Sequence, residues 1–243
     1  MKTIIIIPTY NEAENLPRVW QALCQLPIEV NLLVVDDNSP DGTGNVADRL
    51  REEHPGRIDV LHRKGKLGLG SAYIEGFRKA IELGADAIGQ MDADFSHPID
   101  KIPLLMDCLQ DVDFVIGSRY VPGGSLDERW PFWRKGLSAF GNYYARSILG
   151  LKIRDVTGGF RLWKRETLAA MPLNRVRSNG YVFQVEMGYL ATLLGFRCVE
   201  TPIHFADRRW GDSKMSFRIQ IEAAYRTWLL PGFYKDLRRK IRS

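Results

Sequence analysis

Two aspartates separated by a single residue, Asp92 and Asp94, follow the apolar segment Ala85–Met91, which is predicted to be a buried strand. Side chains two residues apart in an extended segment point to the same side. Two carboxylates placed this way repel each other unless a cation lies between them. Magnesium and manganese prefer oxygen ligands, and magnesium often combines one or two carboxylates with substrate phosphates. The pair therefore indicates a metal that bridges a diphosphate; two solvated or helix-capping aspartates in a loop are the alternative.

Two earlier strands are also followed by polar residues. The segment Pro8–Glu12 offers an aromatic ring, Tyr10, that could stack on a base, and a nearby helix start with unpaired N–H groups. Simple punctuation between strand and helix, with Asn11 capping the helix, is the alternative. Asp36 and Asp37 end the second strand, and one of them could accept hydrogen bonds from a base or a ribose. A turn followed by a helix cap equally explains Asp41-Gly42-Thr43.

The segment Arg63–Gly70 is rich in glycine and carries a cation at Lys66. Glycines allow the backbone to approach a ligand closely, and a lysine can bind phosphate. The order of residues matches neither the GxGxxG fingerprint nor the Gly-Lys-Ser/Thr ending of a P-loop. A Rossmann dinucleotide site is therefore not expected.

Strand-like and helix-like segments alternate through the first 120 residues, which predicts a mostly parallel central sheet with helices on both faces. Ligands of such sheets bind outside the carboxyl ends of the strands, where the polar residues above lie. The predicted strands are Thr3–Ile7, Val30–Val35, Ile58–Leu61, Ala85–Met91, Phe114–Ile116, Phe160–Trp163 and Cys198–Phe205. Helices are predicted at Leu69–Leu83, Phe132–Leu149, Tyr181–Leu194 and Ser216–Leu230, with loops around Gly123-Gly124 and Trp130-Pro131.

The length of 243 residues and the distribution of charge predict one α/β domain, 1–215, followed by an amphipathic basic segment, 216–243. Seven basic and two acidic residues follow Met215, so the segment holds the whole net charge of +5. Such a segment suits lipid headgroups or nucleic acid, or is simply a solvated helix end. No signal peptide and no membrane-spanning run of apolar residues is recognised. Cys24, Cys108 and Cys198 form no CxxC pair and are interpreted as buried thiols of a reducing compartment.

In their order along the chain, these motifs resemble family 2 glycosyltransferases with the GT-A fold. Two segments, Arg63–Tyr73 and Asp207–Met215, resemble in particular the dolichol-phosphate (polyprenol-phosphate) mannosyltransferase branch. The resemblance extends over about residues 3–216. The motifs are Pro8–Glu12, Val34–Thr43, Gly65–Gly70, Asp92–Asp94, Gly117–Tyr120, Thr157–Phe160 and Ser213–Met215.

The resemblance implies a role for each matching position. Asp92 and Asp94 should hold Mg²⁺ or Mn²⁺, and Ser96 stands where some relatives place a glutamine ligand. Arg119, Arg134 and Ser213 should contact the acceptor phosphate, and Asp94, Arg119 and Arg208 are the candidate catalytic residues. His97 and His204 are expected to be structural. The nucleotide sugar should contact Pro8, Tyr10, Glu12, Asp37, Lys66, Asp92, Ala93, Asp94, Arg119, Arg208 and Lys214.

The implied reaction is an inverting transfer of mannose from GDP-mannose to a polyprenyl (dolichyl-type) phosphate. An acceptor phosphate is already anionic near neutral pH, so no general base is named. Transfer of glucose or another sugar from a UDP-sugar to undecaprenyl phosphate is the nearest alternative. A non-catalytic binding protein for a nucleotide sugar or a lipid phosphate is a further one. Nucleic acid is not expected as a partner, because the acidic strand ends would repel its phosphates.

Residues 216–243 are hypothesised to lie on the cytoplasmic face of a membrane, where the lipid acceptor would be. Trp228, Leu229, Leu230, Phe233 and Tyr234 would insert, and Lys235–Arg242 would lie at the headgroups. The alternatives are a helix docked on the domain and a binding site for a small membrane-anchoring partner.

Overall fold

The computed structural model describes residues 1–207 and 217–242, and the side chains of all of these except 217–221 and 239–242. The strands are β1 Thr3–Thr9, β2 Asn31–Asp36, β3 Ile58–His62, β4 Ala87–Gln90, β5 Phe114–Ser118, β6 Ser125–Leu126, β7 Arg161–Lys164, β8 Cys198–Pro202 and β9 His204–Phe205. The α-helices are α1 Asn15–Cys24, α2 Thr43–Glu53, α3 Leu69–Glu82, α4 Ile102–Leu109, α5 Phe132–Leu149, α6 Arg165–Ala170, α7 Tyr181–Leu193, α8 Phe217–Phe233 and α9 Lys235–Arg242. Single 3₁₀ turns lie at Ile99–Lys101 and Leu173–Arg175.

Seven strands form one sheet in the order β3-β2-β1-β4-β7-β5-β8. All neighbours are parallel except β7, which runs antiparallel to both β4 and β5. The carboxyl ends of β1, β2, β4 and β5 therefore share one edge. The prediction of a mostly parallel α/β sheet is confirmed.

The apolar first strand shows why helices cover both faces of this sheet. Side chains alternate across a strand, so four consecutive isoleucines supply two cores. Ile4 and Ile6 pack in a cluster with residues of α3, α5 and α7, and Ile5 and Ile7 pack with residues of α1, α2 and α4.

Three local expectations were wrong. Asn11 does not cap α1, because the helix begins four residues later and Asn11 takes a left-handed conformation, with φ of 65°, from which its N–H donates to Ser39. The predicted strand Cys198–Phe205 is two strands, β8 and β9, and β9 pairs with β6 inside the predicted loop. Cys24 is exposed because it ends α1 beside Leu23, which takes the core position; Cys108 and Cys198 are half-buried.

The C-terminal helix α8 packs on the domain, against α5 and α7. Leu230 and Tyr234 lie in the core, and the Tyr234 hydroxyl donates to Glu186 Oε1 at 2.8 Å. The hypothesis that these two side chains insert into a membrane is therefore wrong, whereas Trp228 and Phe233 are exposed. Within the described ranges, none of the helices has the length and apolarity needed to span a bilayer.

Candidate active site

The loops after β1 and β2 are tied together by Asp36. Its carboxylate accepts hydrogen bonds from the Thr9 hydroxyl at 3.0 Å and the Ser39 hydroxyl at 2.6 Å. Asp41 does the same for the next turn, since it accepts from the backbone N–H groups of Ala13 and Thr43. Burial favours the neutral form of Asp41, but these hydrogen bonds outweigh it and the pKa of Asp41 is lowered. These two aspartates shape the loops.

Asp37 forms a buried ion pair with Arg63, the residue that follows β3. The same guanidinium donates to Glu75 Oε1 at 3.1 Å and to the Ser71 hydroxyl at 2.5 Å, both on α3. Burial raises the pKa of Asp37, and the charge of Arg63 offsets only part of that rise. Sequence reasoning missed Arg63 as the anchor of this corner, although its position directly after a strand beside β2 was a usable signal.

The glycine-rich loop lies against the first loop of the chain. Lys66 Nζ lies 3.7 Å from the centroid of the Tyr10 ring, close enough for a cation–π interaction. Pro8 pairs with Val35 near the end of β1, and the backbone N–H of Glu12 donates to the Thr43 hydroxyl at 2.9 Å. Five of the residues predicted to contact the nucleotide sugar thus lie just at or after the ends of β1, β2 and β3: Pro8, Tyr10, Glu12, Asp37 and Lys66.

Close backbone packing fixes the far side of the same loop. A Cβ atom on Gly70 would lie 2.3 Å from the carbonyl oxygen of Ser178, and one on Gly68 would lie 2.8 Å from Asn179 Oδ1. Ser178 is in turn held by Glu186, which accepts its backbone N–H at 2.8 Å. The glycines are therefore required by the approach of residues 178–179.

The Asp92–Asp94 segment leaves β4 in a tight, largely buried turn. Its backbone is held at both ends: the Asp92 N–H donates to His97 Nδ1 at 3.1 Å, and Asp94 Oδ1 accepts the Ser96 N–H at 3.0 Å. Phe95 between them has a φ of 60°. Because Nδ1 accepts, the His97 proton lies on Nε2. These contacts agree with a structural role for His97.

Both aspartates act on one buried phenol. Burial, followed by the negative charges of Asp92 and Asp94, raises the pKa of Tyr73 well above 10.0. Ala93, between these two aspartates, is buried.

The donor set of this turn fits a hard divalent cation. Ser96 Oγ is buried without a hydrogen-bond partner among the described residues, which adds an oxygen beside the two carboxylates. No cluster of three or more His, Cys, Asp or Glu residues suited to a metal occurs in the ranges 1–207 and 217–242. Two carboxylates that leave positions for substrate phosphates and water match the way magnesium is held at phosphate sites.

A basic cluster lies at the end of β5, at the same edge of the sheet. Arg119 donates to Asp155 through Nε at 2.7 Å and Nη2 at 2.6 Å, and to the Thr157 hydroxyl at 2.8 Å. Asn142 of α5 also donates to Thr157, at 3.0 Å. Burial opposes both charges, but their mutual attraction outweighs it: the pKa of Asp155 is lowered and that of Arg119 is raised. Sequence analysis identified Arg119 and included Thr157 in a family motif without giving it a role, but it missed Asp155 and Asn142.

Phe205 connects the aspartate turn to this basic cluster. Its ring lies 5.6 Å from that of His97 in an edge-on arrangement, and the Arg119 guanidinium lies 5.2 Å from its centroid. The Trp130 ring meets it edge-on at 5.8 Å. The structure thus brings His97, which ends the aspartate turn, and Arg119 into contact with the same aromatic ring.

Arg134 lies next to this ring, at the start of α5. It stacks on Trp130, with 3.7 Å from guanidinium carbon to ring centroid, and its Nη1 lies 3.6 Å from Asp207 Oδ1. Asp207 also accepts the Trp130 indole N–H at 3.0 Å, while its backbone N–H donates to Asp127. His204 bonds Ser125 in the small sheet, as a structural role requires. The predicted residues Arg208, Ser213 and Lys214 lie outside the described residues.

The sheet order and the aspartate pair after β4 define the class of protein: a glycosyltransferase with the GT-A fold. More specifically, the chain belongs to glycosyl transferase family 2, whose profile matches residues 4–171. It is 45% identical over 243 residues, 99% of each chain, to an undecaprenyl-phosphate mannosyltransferase of Micrococcus luteus. It is also 45% identical over 216 residues, 88% of this chain and 81% of the relative, to a polyprenol monophosphomannose synthase of Mycolicibacterium smegmatis.

Solved structures confirm the fold. The mannosyltransferase PcManGT of Pyrobaculum calidifontis, in complex with GDP-mannose and Mn²⁺, superposes with a TM-score of 0.62 at 17% identity, covering 98% of this chain and 68% of that one. Glucosyl-3-phosphoglycerate synthase of Mycobacterium tuberculosis, in complex with Mn²⁺, UDP-glucose and phosphoglyceric acid, gives 0.63 at 14% identity over 96% of this chain and 79% of that one.

Proposed function

We propose that this glycosyltransferase moves mannose from GDP-mannose to the phosphate of a polyprenyl lipid, with inversion at the anomeric carbon, at the cytoplasmic face of a membrane. The observation that carries the proposal is one sheet edge that holds both an aspartate pair and a basic cluster. Two relatives at 45% identity, named as mannosyltransferases of lipid phosphates, support the same choice of sugar and acceptor. The GDP-mannose complex of PcManGT supports the nucleotide.

The donor side comprises the corner around Asp37, the Tyr10–Lys66 pair and the aspartate turn. In this proposal Asp37 accepts hydrogen bonds from the nucleoside, and Lys66 lies near the diphosphate. Asp92 and Asp94 hold Mg²⁺ or Mn²⁺. When bound, the cation neutralises charge on the departing nucleoside diphosphate.

The acceptor side is the cluster around Arg119. The Asp155 carboxylate accepts hydrogen bonds from Nε and Nη2 of Arg119, which fixes the plane of the guanidinium at the end of β5. Arg134, which stacks on Trp130, and Ser213 are proposed as further contacts of the acceptor phosphate, and Arg208 and Lys214 are proposed as contacts of the donor. Two anions must approach each other in this reaction, so the arginines both bind the acceptor phosphate and screen its repulsion from the donor.

No general base is required. A phosphate monoester has a second pKa of about 6, so its oxygen is already a nucleophile at neutral pH. The displacement then depends on alignment of that oxygen with the anomeric carbon and on stabilisation of the leaving charge. A single displacement of this kind inverts the configuration of the sugar.

The decisive assay supplies the protein with Mg²⁺ or Mn²⁺, polyprenyl phosphate and one donor at a time: GDP-mannose, UDP-glucose or UDP-N-acetylglucosamine. Mass spectrometry should detect a lipid-linked hexose from GDP-mannose alone, with the anomeric configuration, assigned by NMR, opposite to that of the donor. Product from a UDP-sugar alone would show that the donor is that UDP-sugar and not GDP-mannose. Retention of the anomeric configuration of the sugar would refute the single displacement. No product from any donor, beside an active control enzyme, would refute the reaction.

The aspartate turn is tested by Asp94→Asn, with exposed Asp100→Asn in the following 3₁₀ turn as the matched control. The Asp94 variant should lose Mn²⁺ binding in calorimetry and metal-dependent transfer, and keep its circular dichroism spectrum. The Asp100 variant should match the wild type in all three. Full activity of the Asp94 variant would remove this residue from the metal site.

A further inference from the structure

The outward side of α5 is aromatic. Phe132 is 92% exposed, Trp133 70%, Tyr143 67% and Phe140 62%. We call these four residues the aromatic face. Isolated apolar residues are common on protein surfaces, but four exposed rings on one helix form a continuous patch of the kind that marks an interaction surface.

The opposite side of α5 contacts the acceptor side of the active site. Ser138 shares a hydrogen bond of 2.7 Å with the Tyr120 hydroxyl, and Asn142 donates to Thr157, which also accepts from Arg119. A helix with its side chains is only about 10 Å across. The aromatic face and the Arg119 cluster therefore lie on two sides of a single helix.

Charge favours an anionic surface as the occupant of this face. Residues 132–149 contain three basic residues and no acidic residue. The neighbouring helix α8, whose Ala224 carbonyl accepts a hydrogen bond from the Tyr144 hydroxyl, exposes further rings, among them Tyr225 and Trp228. Two copies of such a positive surface would repel each other, whereas anionic lipid headgroups would attract it.

Aromatic side chains also match the chemistry of a bilayer interface. Tryptophan and tyrosine prefer the headgroup level, where the ring meets lipid while the polar edge stays hydrated. A helix with an apolar face and flanking cations lies in the plane of that interface.

We infer that the aromatic face of α5 docks on an anionic lipid bilayer and thereby brings the Arg119 cluster to the depth of a lipid phosphate. This inference rests on the proposed function for its choice of acceptor. It assigns membrane contact to α5, with Tyr225 and Trp228 of α8 alongside, and not to Leu230 and Tyr234, which are buried in the domain.

The test compares the full-length wild type with the variant F132S/W133S/F140S/Y143S. The control is L104S, which removes an exposed apolar side chain from α4, on the opposite face of the sheet. Flotation with phosphatidylglycerol vesicles that lack polyprenyl phosphate measures docking alone. The wild type and L104S should bind, more weakly to phosphatidylcholine, and the fourfold variant should bind at least about tenfold less.

Two further measurements separate lipid docking from catalysis, folding and self-association. The fourfold variant should keep transfer to a short-chain, water-soluble prenyl phosphate and lose transfer to vesicle-embedded acceptor, which shows that its fold and its active site are intact. Sedimentation velocity without lipid should give the same oligomeric state for the wild type and the fourfold variant, so that the aromatic face is not a dimer interface. The result that would count against this is a wild-type dimer that the four substitutions abolish. Such a dimer, or equal vesicle binding by wild type and variant, would overturn the assignment of this face to lipid. If the transfer reaction itself fails, flotation still decides the docking inference.

Discussion

Replacing Asp155 by asparagine should destabilise the protein strongly, because the carboxylate neutralises a buried cation. The Asp155 side chain is fully buried and that of Arg119 is 8% exposed, and three of the Asp155 contacts come from Arg119. The charge of Asp155 also acts on a second buried guanidinium, Arg161, whose pKa burial lowers to about 10. The substitution keeps the shape of the side chain and leaves two buried cations without their shared counter-charge.

The expected loss follows from that geometry. Removing one partner of a buried ion pair costs about 3–5 kcal/mol, since the remaining charge stays desolvated. In a domain of this size 1 kcal/mol corresponds to about 2–4 °C in Tm. The variant should therefore melt about 6–20 °C below the wild type.

The matched control is Glu222→Gln, which breaks the exposed pair Glu222–Arg226 on α8. Pairs of this kind contribute about 0.5 kcal/mol or less, so this variant should melt within about two degrees of the wild type. Urea denaturation and calorimetry measure both variants. Equal stability of Asp155→Asn and Glu222→Gln would show that the buried pair does not stabilise the fold.

The pH dependence of stability provides an independent check that the Asp155 carboxylate stabilises the fold. Burial alone would raise the pKa of Asp155, but Arg119 lowers it below the ordinary value of 3.8. A group with a lowered folded pKa contributes stability above its unfolded pKa and loses it as the pH falls through the folded value. The gap between wild type and Asp155→Asn should stay constant from pH 7 to about 4 and shrink only below that.

Two further predictions concern packing and thiol chemistry. Gly70→Ala should lower the free energy of unfolding by about 1–3 kcal/mol and weaken nucleotide binding, because the added Cβ would lie 2.3 Å from the Ser178 carbonyl oxygen. The control is Gly136→Ala on α5, where no atom lies within 4 Å of an added Cβ. This substitution should raise the free energy of unfolding by about 0.5–1 kcal/mol in the same denaturation assay. Iodoacetamide at pH 8 should label exposed Cys24 first in peptide mapping, whereas Cys198 should stay unmodified, because burial raises its pKa to about 12 and keeps the thiolate scarce. Unchanged stability and nucleotide binding of Gly70→Ala, or early labelling of Cys198, would contradict these two accounts.

The sheet, and the edge of it that carries the candidate active site, were predictable because their signals are local. Continuous apolar runs such as Ile4–Ile7 predict buried parallel strands, and polar residues directly after them mark the edge where ligands bind. Asp92 and Asp94 could be identified as candidate metal ligands from their spacing and from the strand before them. The resemblance to one family then supplied roles that spacing alone does not.

The partners of these residues were not predictable, because they are distant along the chain. Asp155 is 36 residues from Arg119, and no local pattern connects them. Phe205 carries no polar signal, yet its ring contacts both His97 and Arg119. The burial of Leu230 and Tyr234 in the domain was not predictable either. An amphipathic pattern shows that one side of a helix is apolar, but it does not show whether protein or lipid covers that side.

The antiparallel strand β7 explains how these distant residues reach the site. Parallel strands present their carboxyl ends at the edge that carries the candidate active site, so the residues directly before each of these strands lie at the opposite edge. Because β7 runs the other way between β4 and β5, its amino end lies at the edge of the candidate active site, and so do the residues directly before it.

That loop carries Asp155, Thr157 and Phe160. The first two bind Arg119 after β5, and Phe160 stacks on His97 at 5.2 Å after β4. One strand reversed in direction thus lets a single loop hold the basic cluster on one side and the aspartate turn on the other. A sheet with β7 parallel would leave Arg119 and the aspartate turn without this shared support, which is why the exception to the parallel pattern lies at the centre of the site.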